Sequence, residues 1–238
     1  MPESAKKRVA IVAALEREVR PLIRNWRKGE RQHEGGSYRF FDDGDVVVVC
    51  GGIGEGAARR AAEAVIALFQ PEIICSAGFA GALDPKLKAG DVLRPRTVVN
   101  ASDGSKITID GGEGMLVSFS SAASPDQKRK LRESYGAQAV DMEAGAVARA
   151  AEARGKEFIA VKAISDEVDF ELPAIERFVD SEGRFCEARF TFYAAVRPWL
   201  WGRVIQLARN SHRASRALCA FLSKYSGSLF SAAKGRSA

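Results

Sequence analysis

Histidine is scarce in this chain of 238 residues, which has only His33 and His212, far apart in the sequence. A histidine-based catalytic triad or a zinc site built on several histidines is therefore not expected. Cysteines are also few, and these four show no paired spacing: Cys50, Cys75, Cys186 and Cys219. We expect reduced thiols, no metal and no disulfide framework, which is typical of a cytoplasmic protein.

Acidic residues are missing from one end of the chain. Residues 188–238 contain nine Lys or Arg and no Asp or Glu, whereas the whole chain carries +6, so the first 187 residues carry −3. The segment lacks the interleaved stacking aromatics of single-strand binders, so nucleic acid is not an expected partner. No apolar run reaches the roughly 20 residues needed to span a bilayer.

What the sequence does contain is an alternation of apolar runs with helical patterns. This alternation predicts a three-layer α/β/α fold around a mixed, largely parallel sheet. We expect one domain over residues 1–238, with residues 188–238 as a basic helical tail within it. The expected elements include strands at Val9–Ala14, Asp91–Val99 and Phe158–Ile164, and helices at Glu16–Trp26 and Met142–Arg154.

Three segments place a carboxylate at or just beyond the end of an apolar run. They are Ala13–Val19 with Glu18, Val140–Ala144 with Glu143, and Ala163–Asp166 with Asp166. Strand ends deliver side chains to a ligand cleft, so these carboxylates are expected to converge. One carboxyl can donate a proton to a leaving group on a sugar while another deprotonates a water molecule.

In this order and spacing, the three segments resemble the purine nucleoside phosphorylase superfamily, and most closely its methylthioadenosine/S-adenosylhomocysteine nucleosidase branch. The resemblance implies cleavage of the N-glycosidic bond of a purine nucleoside. Asp166 would be the general acid to the base, and Glu18 would activate the attacking water. Glu143 would bind the ribose hydroxyls, and Met142 would pack on the sugar ring.

The loop Gly51–Gly54 matches the Gly-Ile-Gly turn of the same family. Its backbone N–H groups precede a helix and would suit a phosphate or the nucleophilic water, so Gly52 and Ile53 are expected to bind substrate. Gly78, Phe79 and Ser165 complete the expected binding set. No organic cofactor is implied, and hydrolysis and phosphorolysis, with inorganic phosphate as co-substrate, both remain open.

Two departures from the family pattern point to one subfamily. Phe79 stands where the family usually has a hydroxyl residue, and Lys162 stands where nucleosidases usually have arginine. The chain resembles the hopanoid-associated phosphorylases at Ser76–Gly81, Ala139–Glu143, Phe170–Pro173 and Arg197–Leu200. That resemblance implies release of adenine from an adenosylated triterpenoid lipid. A nucleosidase acting on soluble nucleosides is the alternative.

A catalytically silent nucleoside-binding protein is an alternative of a different class. Such a relative would be expected to have lost Asp166 or Glu143, and both are present. The apolar run before Asp166 also predicts burial in apolar surroundings, which would raise the pKa of an acid that must hold its proton near neutrality.

The basic tail has helical periodicity after Pro198. Its apolar positions are expected to form one face: Trp201, Ile205, Ala208, His212, Cys219 and Leu222. Arg209, Arg213 and Arg216 form a basic stripe, which is either an ordinary solvated face or a peripheral contact with the inner membrane surface. The family resemblance further implies a homo-oligomer.

Overall fold

The computed structural model describes residues 9–171, 175–180 and 182–225. These residues form strands and helices in the following order: β1 (Val9–Ala13), α1 (Glu16–Ile23), β2 (Arg27–His33), β3 (Gly36–Asp42), β4 (Val46–Cys50), α2 (Glu55–Phe69), β5 (Ile73–Ala82), β6 (Val92–Leu93), β7 (Thr97–Asn100), β8 (Lys106–Thr108), β9 (Met115–Ser118), α3 (Pro125–Tyr135), β10 (Ala139–Asp141), α4 (Ala144–Glu152), β11 (Glu157–Asp166), α5 (Glu187–Ala195) and α6 (Trp201–Tyr225).

The strands form one mixed sheet whose centre is parallel. Strands β4, β1, β5 and β11 run parallel to one another, and hairpin strands extend the sheet at its edges. The central strands are mostly apolar and almost entirely buried, because helices cover both faces. Helices α2 and α4 pack together on one side of the sheet, and α1 and α6 pack together on the other. The predicted α/β class is confirmed.

Strand β5 changes partners along its length, and this change opens the sheet. Its first half pairs with β1 as far as Ser76, and its end pairs with β10 in the antiparallel direction from Gly81. Residues 77–80 lie between these two partners and pair only with β11 on the opposite side. The gap is therefore built into the backbone hydrogen bonding, at the end of β1 where Glu18 follows.

All five expected elements differ in their bounds, two of them (β1 and β11) by one or two residues at an end. The other three differ for reasons that the fold explains. The first helix ends at Ile23 and not at Trp26, because the chain continues into β2, whose exposed polar residues carry no apolar alternation. The expected strand Asp91–Val99 is two strands, β6 and β7, which pair with different neighbours. The helix predicted from Met142 begins at Ala144, because Met142 and Glu143 form its entry turn.

The sequence periodicity of α6 predicted one continuous apolar face, but the helix does not have one. Its C-terminal half buries Ala214, Leu218, Cys219 and Leu222 against the core, whereas Trp201 and Ile205 in its N-terminal half are exposed. Among the described helices, none is long and apolar enough to cross a membrane. The helix thus has an anchored half and a half that projects from the core.

This division predicts different costs for two substitutions in the same helix. Leu218→Ala should lower the free energy of unfolding by about 2–5 kcal/mol, because it removes a buried side chain. Ile205→Ala should change it by less than about 0.5 kcal/mol, because the side chain is exposed. Urea denaturation followed by circular dichroism measures both. Equal losses would contradict the assignment of the two halves.

Candidate active site

Three carboxylates that are far apart in sequence line one pocket at the gap beside β5. Glu18 comes from α1, Glu143 from the entry of α4, and Asp166 from the end of β11. Four other predicted residues line the same pocket: Ile53, Phe79, Met142 and Ser165. Gly52 lines a neighbouring groove, and Gly78 packs behind Glu18. The predicted convergence is therefore present.

A buried ammonium group lies among these acids. Lys162 Nζ is 2.8 Å from Asp141 Oδ2, and both side chains are almost inaccessible to solvent. Burial alone would lower the pKa of Lys162, but the carboxylates of Asp141 and Glu143 outweigh that effect and raise it. Lys162 therefore stays charged and compensates the surrounding negative groups.

Asp141 is held as a structural group and not as a catalyst. Its carboxylate accepts hydrogen bonds from Ser118 Oγ at 2.6 Å and from the backbone N–H of Ala144 at 2.8 Å. The second bond caps the first turn of α4. With Lys162 on the same carboxylate, Asp141 is fully engaged and fixes the neighbouring Met142 and Glu143.

Glu143 lies at the N-termini of two helices. It begins α4, and its Oε1 accepts a hydrogen bond of 2.9 Å from the backbone N–H of Gly54, at the start of α2. Burial, followed by the nearby charge of Asp141, raises the pKa of Glu143 to about 7. Its carboxylate therefore titrates close to neutrality.

Glu18 is buried, and its position depends on a glycine. Burial raises the pKa of Glu18, although the positive charges of Lys162 and Arg17 oppose the shift. A Cβ atom on Gly78 would lie 2.9 Å from Glu18 Oε2, which is too close for normal contact. Gly78 thus contributes by leaving room for the carboxylate of Glu18, a role that the family resemblance did not indicate.

Asp166 is buried, but not in the apolar surroundings that the sequence suggested. Lys128 Nζ donates to Asp166 Oδ2 at 2.5 Å and to the backbone oxygen of Glu167 at 2.7 Å. Ser165 Oγ donates to Asp166 Oδ1 at 2.7 Å. Gly81 leaves room for this group, because a Cβ there would lie 2.8 Å from Asp166 Oδ2. The predicted burial of Asp166 is confirmed, but its carboxylate is surrounded by an ammonium and a hydroxyl group instead of apolar side chains alone.

Lys128 was missed because its sequence surroundings look solvated. It stands beside Arg129 and Lys130 in a highly charged helix, where a lysine is ordinarily exposed. The one available signal was position: Lys128 is three residues before Leu131, which is also buried, on the same side of the helix.

The glycine loop does not offer the free N–H groups that were expected. Gly51 and Gly52 donate to Ala13 O and Ala14 O, and Ile53 donates to Gly183 O at 2.7 Å. Gly54 donates to Glu143, as described above. Gly52 and Gly183 both have positive φ, and a Cβ on either would collide with the opposite backbone. The four N–H groups of the loop therefore donate to the end of β1, to Gly183 and to Glu143, and none of them is free to bind a phosphate or a water molecule.

The C-terminal part of the chain forms a wall of the pocket. Phe185 and Phe190 line it from the loop before α5 and from α5 itself, and Leu207 and Ser211 line it from α6. The family resemblance covered roughly the first 170 residues and gave no roles to this wall. Of the subfamily segment Phe170–Pro173, Leu172 and Pro173 lie outside the described residues.

The raised pKa of Glu143 makes stability depend on pH. The pKa of Glu143 is 4.5 in the unfolded chain and about 7 in the folded protein, so the folded state binds more protons between these two pH values. Stability should therefore decrease as pH rises through this window. In Glu143→Gln, the melting temperature should fall less between about pH 5 and pH 8 than in the wild type.

Glu18 contributes in the same direction, so part of the pH dependence should remain in that variant. The exposed Glu133→Gln is the matched control and should follow the wild type. Parallel curves for Glu143→Gln and the wild type would contradict the assignment.

Comparisons with known proteins agree with this architecture. The family model described as the phosphorylase superfamily matches residues 8–123 and 112–195. A 5′-methylthioadenosine/S-adenosylhomocysteine nucleosidase of Staphylococcus aureus is 27% identical over 196 residues, which cover 66% of this chain and 86% of that relative.

Two solved structures from Helicobacter pylori share the fold. A 5′-methylthioadenosine/S-adenosylhomocysteine nucleosidase matches with a TM-score of 0.66 at 19% identity, over 92% of this chain and 99% of that chain. A futalosine hydrolase matches with a TM-score of 0.65 at 19% identity, over 92% and 98%. The chain therefore belongs to the phosphorylase superfamily, as an enzyme of its nucleoside phosphorylase and nucleosidase group.

Proposed function

We propose that this enzyme hydrolyses the N-glycosidic bond of an adenine nucleoside whose 5′ carbon carries a large apolar group. The adenosylated hopanoid lipid implied by the sequence resemblance is such a substrate. The observation that carries the proposal is the pocket itself, in which three carboxylates with different partners face an aromatic and aliphatic wall.

The three carboxylates can divide the chemistry among them. The water oxygen attacks C1′ of the ribose, the C1′–N9 bond breaks, and its electron pair leaves with the purine. Glu18 takes the proton of the water, and its raised pKa makes it a stronger base than an ordinary glutamate. Asp166, in its protonated form, gives its proton to a purine ring nitrogen and becomes a carboxylate, so the base leaves as a neutral molecule.

Lys128 and Glu143 support these two steps. The Lys128 ammonium fixes the side chain of Asp166 and stabilises the carboxylate that remains after proton transfer. Glu143, when ionised, accepts hydrogen bonds from the ribose hydroxyls, as the resemblance implies, and Met142 packs beside the sugar. Ser165 orients the other oxygen of Asp166.

Water is favoured over phosphate because the predicted phosphate loop is already engaged. All four N–H groups from Gly51 to Gly54 donate to protein acceptors, and the last of these acceptors is the carboxylate of Glu143. A phosphate at the start of α2 would have to displace a carboxylate that is needed for the sugar. This arrangement supports hydrolysis.

The apolar wall favours a 5′ substituent that is large and apolar. Phe79 replaces the hydroxyl usual in the family, and Phe185, Phe190 and Leu207 add apolar surface to the same pocket. The second candidate is a methylthioadenosine/S-adenosylhomocysteine nucleosidase, which is favoured by the relative from Staphylococcus aureus.

One substrate comparison tests the proposal. Purified protein is incubated with adenosine, methylthioadenosine and adenosylhopane, each with and without phosphate, while free adenine is measured. We expect the highest kcat/KM for adenosylhopane and the same rate in both buffers. A preference for methylthioadenosine would favour the second candidate, a phosphate requirement would overturn hydrolysis, and no adenine from any substrate would indicate a silent binding protein.

Replacing the general acid should stop the reaction without removing the pocket. Asp166→Asn is expected to reduce kcat by at least about 100-fold, the scale for loss of a general acid. Because it leaves the buried Lys128 without a counter-charge, the double variant Asp166→Asn/Lys128→Met serves as a folding control. If the double variant melts near the wild-type temperature and still releases adenine normally, Asp166 is not the acid.

Lys128 should act through Asp166 and not through substrate affinity. Lys128→Met is expected to lower kcat by about 10-fold or more while KM changes little, because an interaction that matters in the transition state is lost. Lys128→Arg should restore part of kcat, since a donor remains. A change confined to KM would place Lys128 against the substrate instead.

A further inference from the structure

Large exposed apolar side chains are concentrated in one short stretch. Among the described residues, every large hydrophobic side chain that is strongly exposed lies between residues 192 and 205: Phe192, Val196, Trp199, Trp201 and Ile205. Phe192 and Trp199 are 71% and 74% exposed. We call these five residues the aromatic patch. Clustered exposure of this kind marks an interaction surface, whereas single exposed apolar residues do not.

The aromatic patch lies on a defined scaffold and not on a loose loop. Its residues come from the end of α5, the 3₁₀ turn Pro198–Leu200 and the projecting half of α6. Trp201 Nε1 donates to Ala194 O at 3.0 Å, and the guanidinium of Arg197 stacks on Tyr193 at 3.9 Å. These contacts hold the patch in place while its rings face solvent.

The chain segment that carries the aromatic patch has charges of one sign. Residues 188–238 contain no acid, and Arg189 and Arg209 are exposed and form no ion pair with any described residue. Arg203 pairs with Glu171 at 2.7 Å. Arginines beside tryptophans match the interface of an anionic bilayer, where the rings enter the headgroup region and the cations meet phosphate.

We propose that the aromatic patch docks the enzyme on the surface of an anionic phospholipid bilayer. A second copy of this chain fits the patch less well. A twofold contact would place identical patches together, with their arginines facing each other and no acid of residues 188–238 between them. The bilayer supplies the negative charge that the segment itself lacks.

Helices α5 and α6, which carry most of the aromatic patch, also form the pocket wall. Their position therefore determines how the pocket would be oriented relative to the bilayer. Phe190 in α5 and Leu207 in α6 line the pocket, two residues from Phe192 and Ile205 in the aromatic patch. Docking would therefore bring the apolar wall of the pocket close to the bilayer. It would do so whichever nucleoside is cleaved, so this inference does not depend on the proposed substrate.

The surface differs from the one that the sequence suggested. The predicted basic stripe was Arg209, Arg213 and Arg216, but the Arg213 side chain lies over Gly90, where a Cβ would come within 2.7 Å of its Cγ. The aliphatic part of the Arg213 side chain therefore packs against Gly90, and the rest of the residue is exposed. The aromatic residues before and at the start of α6, with Arg189 and Arg209, replace the stripe as the contact surface.

Co-sedimentation of the full-length protein with sucrose-loaded vesicles tests the proposal. We expect binding to phosphatidylcholine vesicles that contain phosphatidylglycerol, weaker binding to phosphatidylcholine alone, and partial release in high salt. Phe192→Ala/Trp199→Ala should weaken binding by at least about 10-fold. Arg189→Gln/Arg209→Gln should weaken it by about 25-fold, since each basic residue near an anionic surface contributes about fivefold.

A charge-matched control separates docking from general attraction. Lys130→Gln/Arg154→Gln removes two exposed cations outside the segment and should bind as the wild type does. Wild-type protein that stays in the supernatant with anionic vesicles, or a Phe192→Ala/Trp199→Ala variant that binds equally well, would overturn the proposal. A concentration-dependent dimer that only this variant loses would assign the patch to a second copy.

Activity is recorded in parallel on water-soluble methylthioadenosine without vesicles. Phe192→Ala/Trp199→Ala should keep any rate that the wild type shows there, because neither side chain lines the pocket. Loss of vesicle binding with an unchanged rate confirms a docking role. Normal adenine release by wild-type protein that never binds vesicles would overturn docking while leaving the proposed function intact.

Discussion

The buried ammonium of Lys162 is the interaction on which the site depends. Asp141, Glu143 and Glu18 are buried close to this ammonium, and its charge limits the rise in the pKa values of Glu143 and Glu18 that burial causes. Lys162, in the middle of β11, compensates the negative charge of these acids. Asp141 in turn accepts a hydrogen bond from the backbone N–H of Ala144, which fixes the first turn of α4. A second cation, Lys128, compensates the charge of Asp166 at the end of the same strand. The site thus consists of two cation–carboxylate groups, each with one member on β11: Lys162 in the first and Asp166 in the second.

The parts of this arrangement that the sequence could predict are those encoded locally. The buried strands, the α/β class and the convergence of Glu18, Glu143 and Asp166 follow from apolar runs that end in acids. Strand β2 could not be predicted in this way, because its residues are polar on both sides and its pairing with β3 alone defines it. Lys128 was equally hidden, because only the tertiary fold turns that position inward. The glycine loop shows the converse case: its motif was recognised, but its N–H groups are used by partners that lie up to about 130 residues away.

The glycines of β5 show how the backbone limits the chemistry. Gly78 leaves room for Glu18, and Gly81 leaves room for Asp166 and Lys128. Both glycines lie within or next to residues 77–80 of β5, which pair with neither β1 nor β10. The same strand therefore provides both the gap in the sheet and the space for the acids. The separation of the two acids is therefore set by backbone geometry more than by side-chain flexibility, which suits groups that must act on opposite ends of one bond.

The C-terminal wall has a consequence for the order in which the protein is made. All three carboxylates have been synthesised by residue 166, but Phe185, Phe190, Leu207 and Ser211 follow them in the chain. Residues 182–225 must return to the sheet before the pocket has an apolar side. It is tied there by Gly183 to the glycine loop and by Ser215 and Cys219 to the backbone of α1. A nascent chain therefore has all three acids before it has the apolar side of the pocket, and it cannot enclose an apolar substrate until α6 has been synthesised and has packed on the sheet.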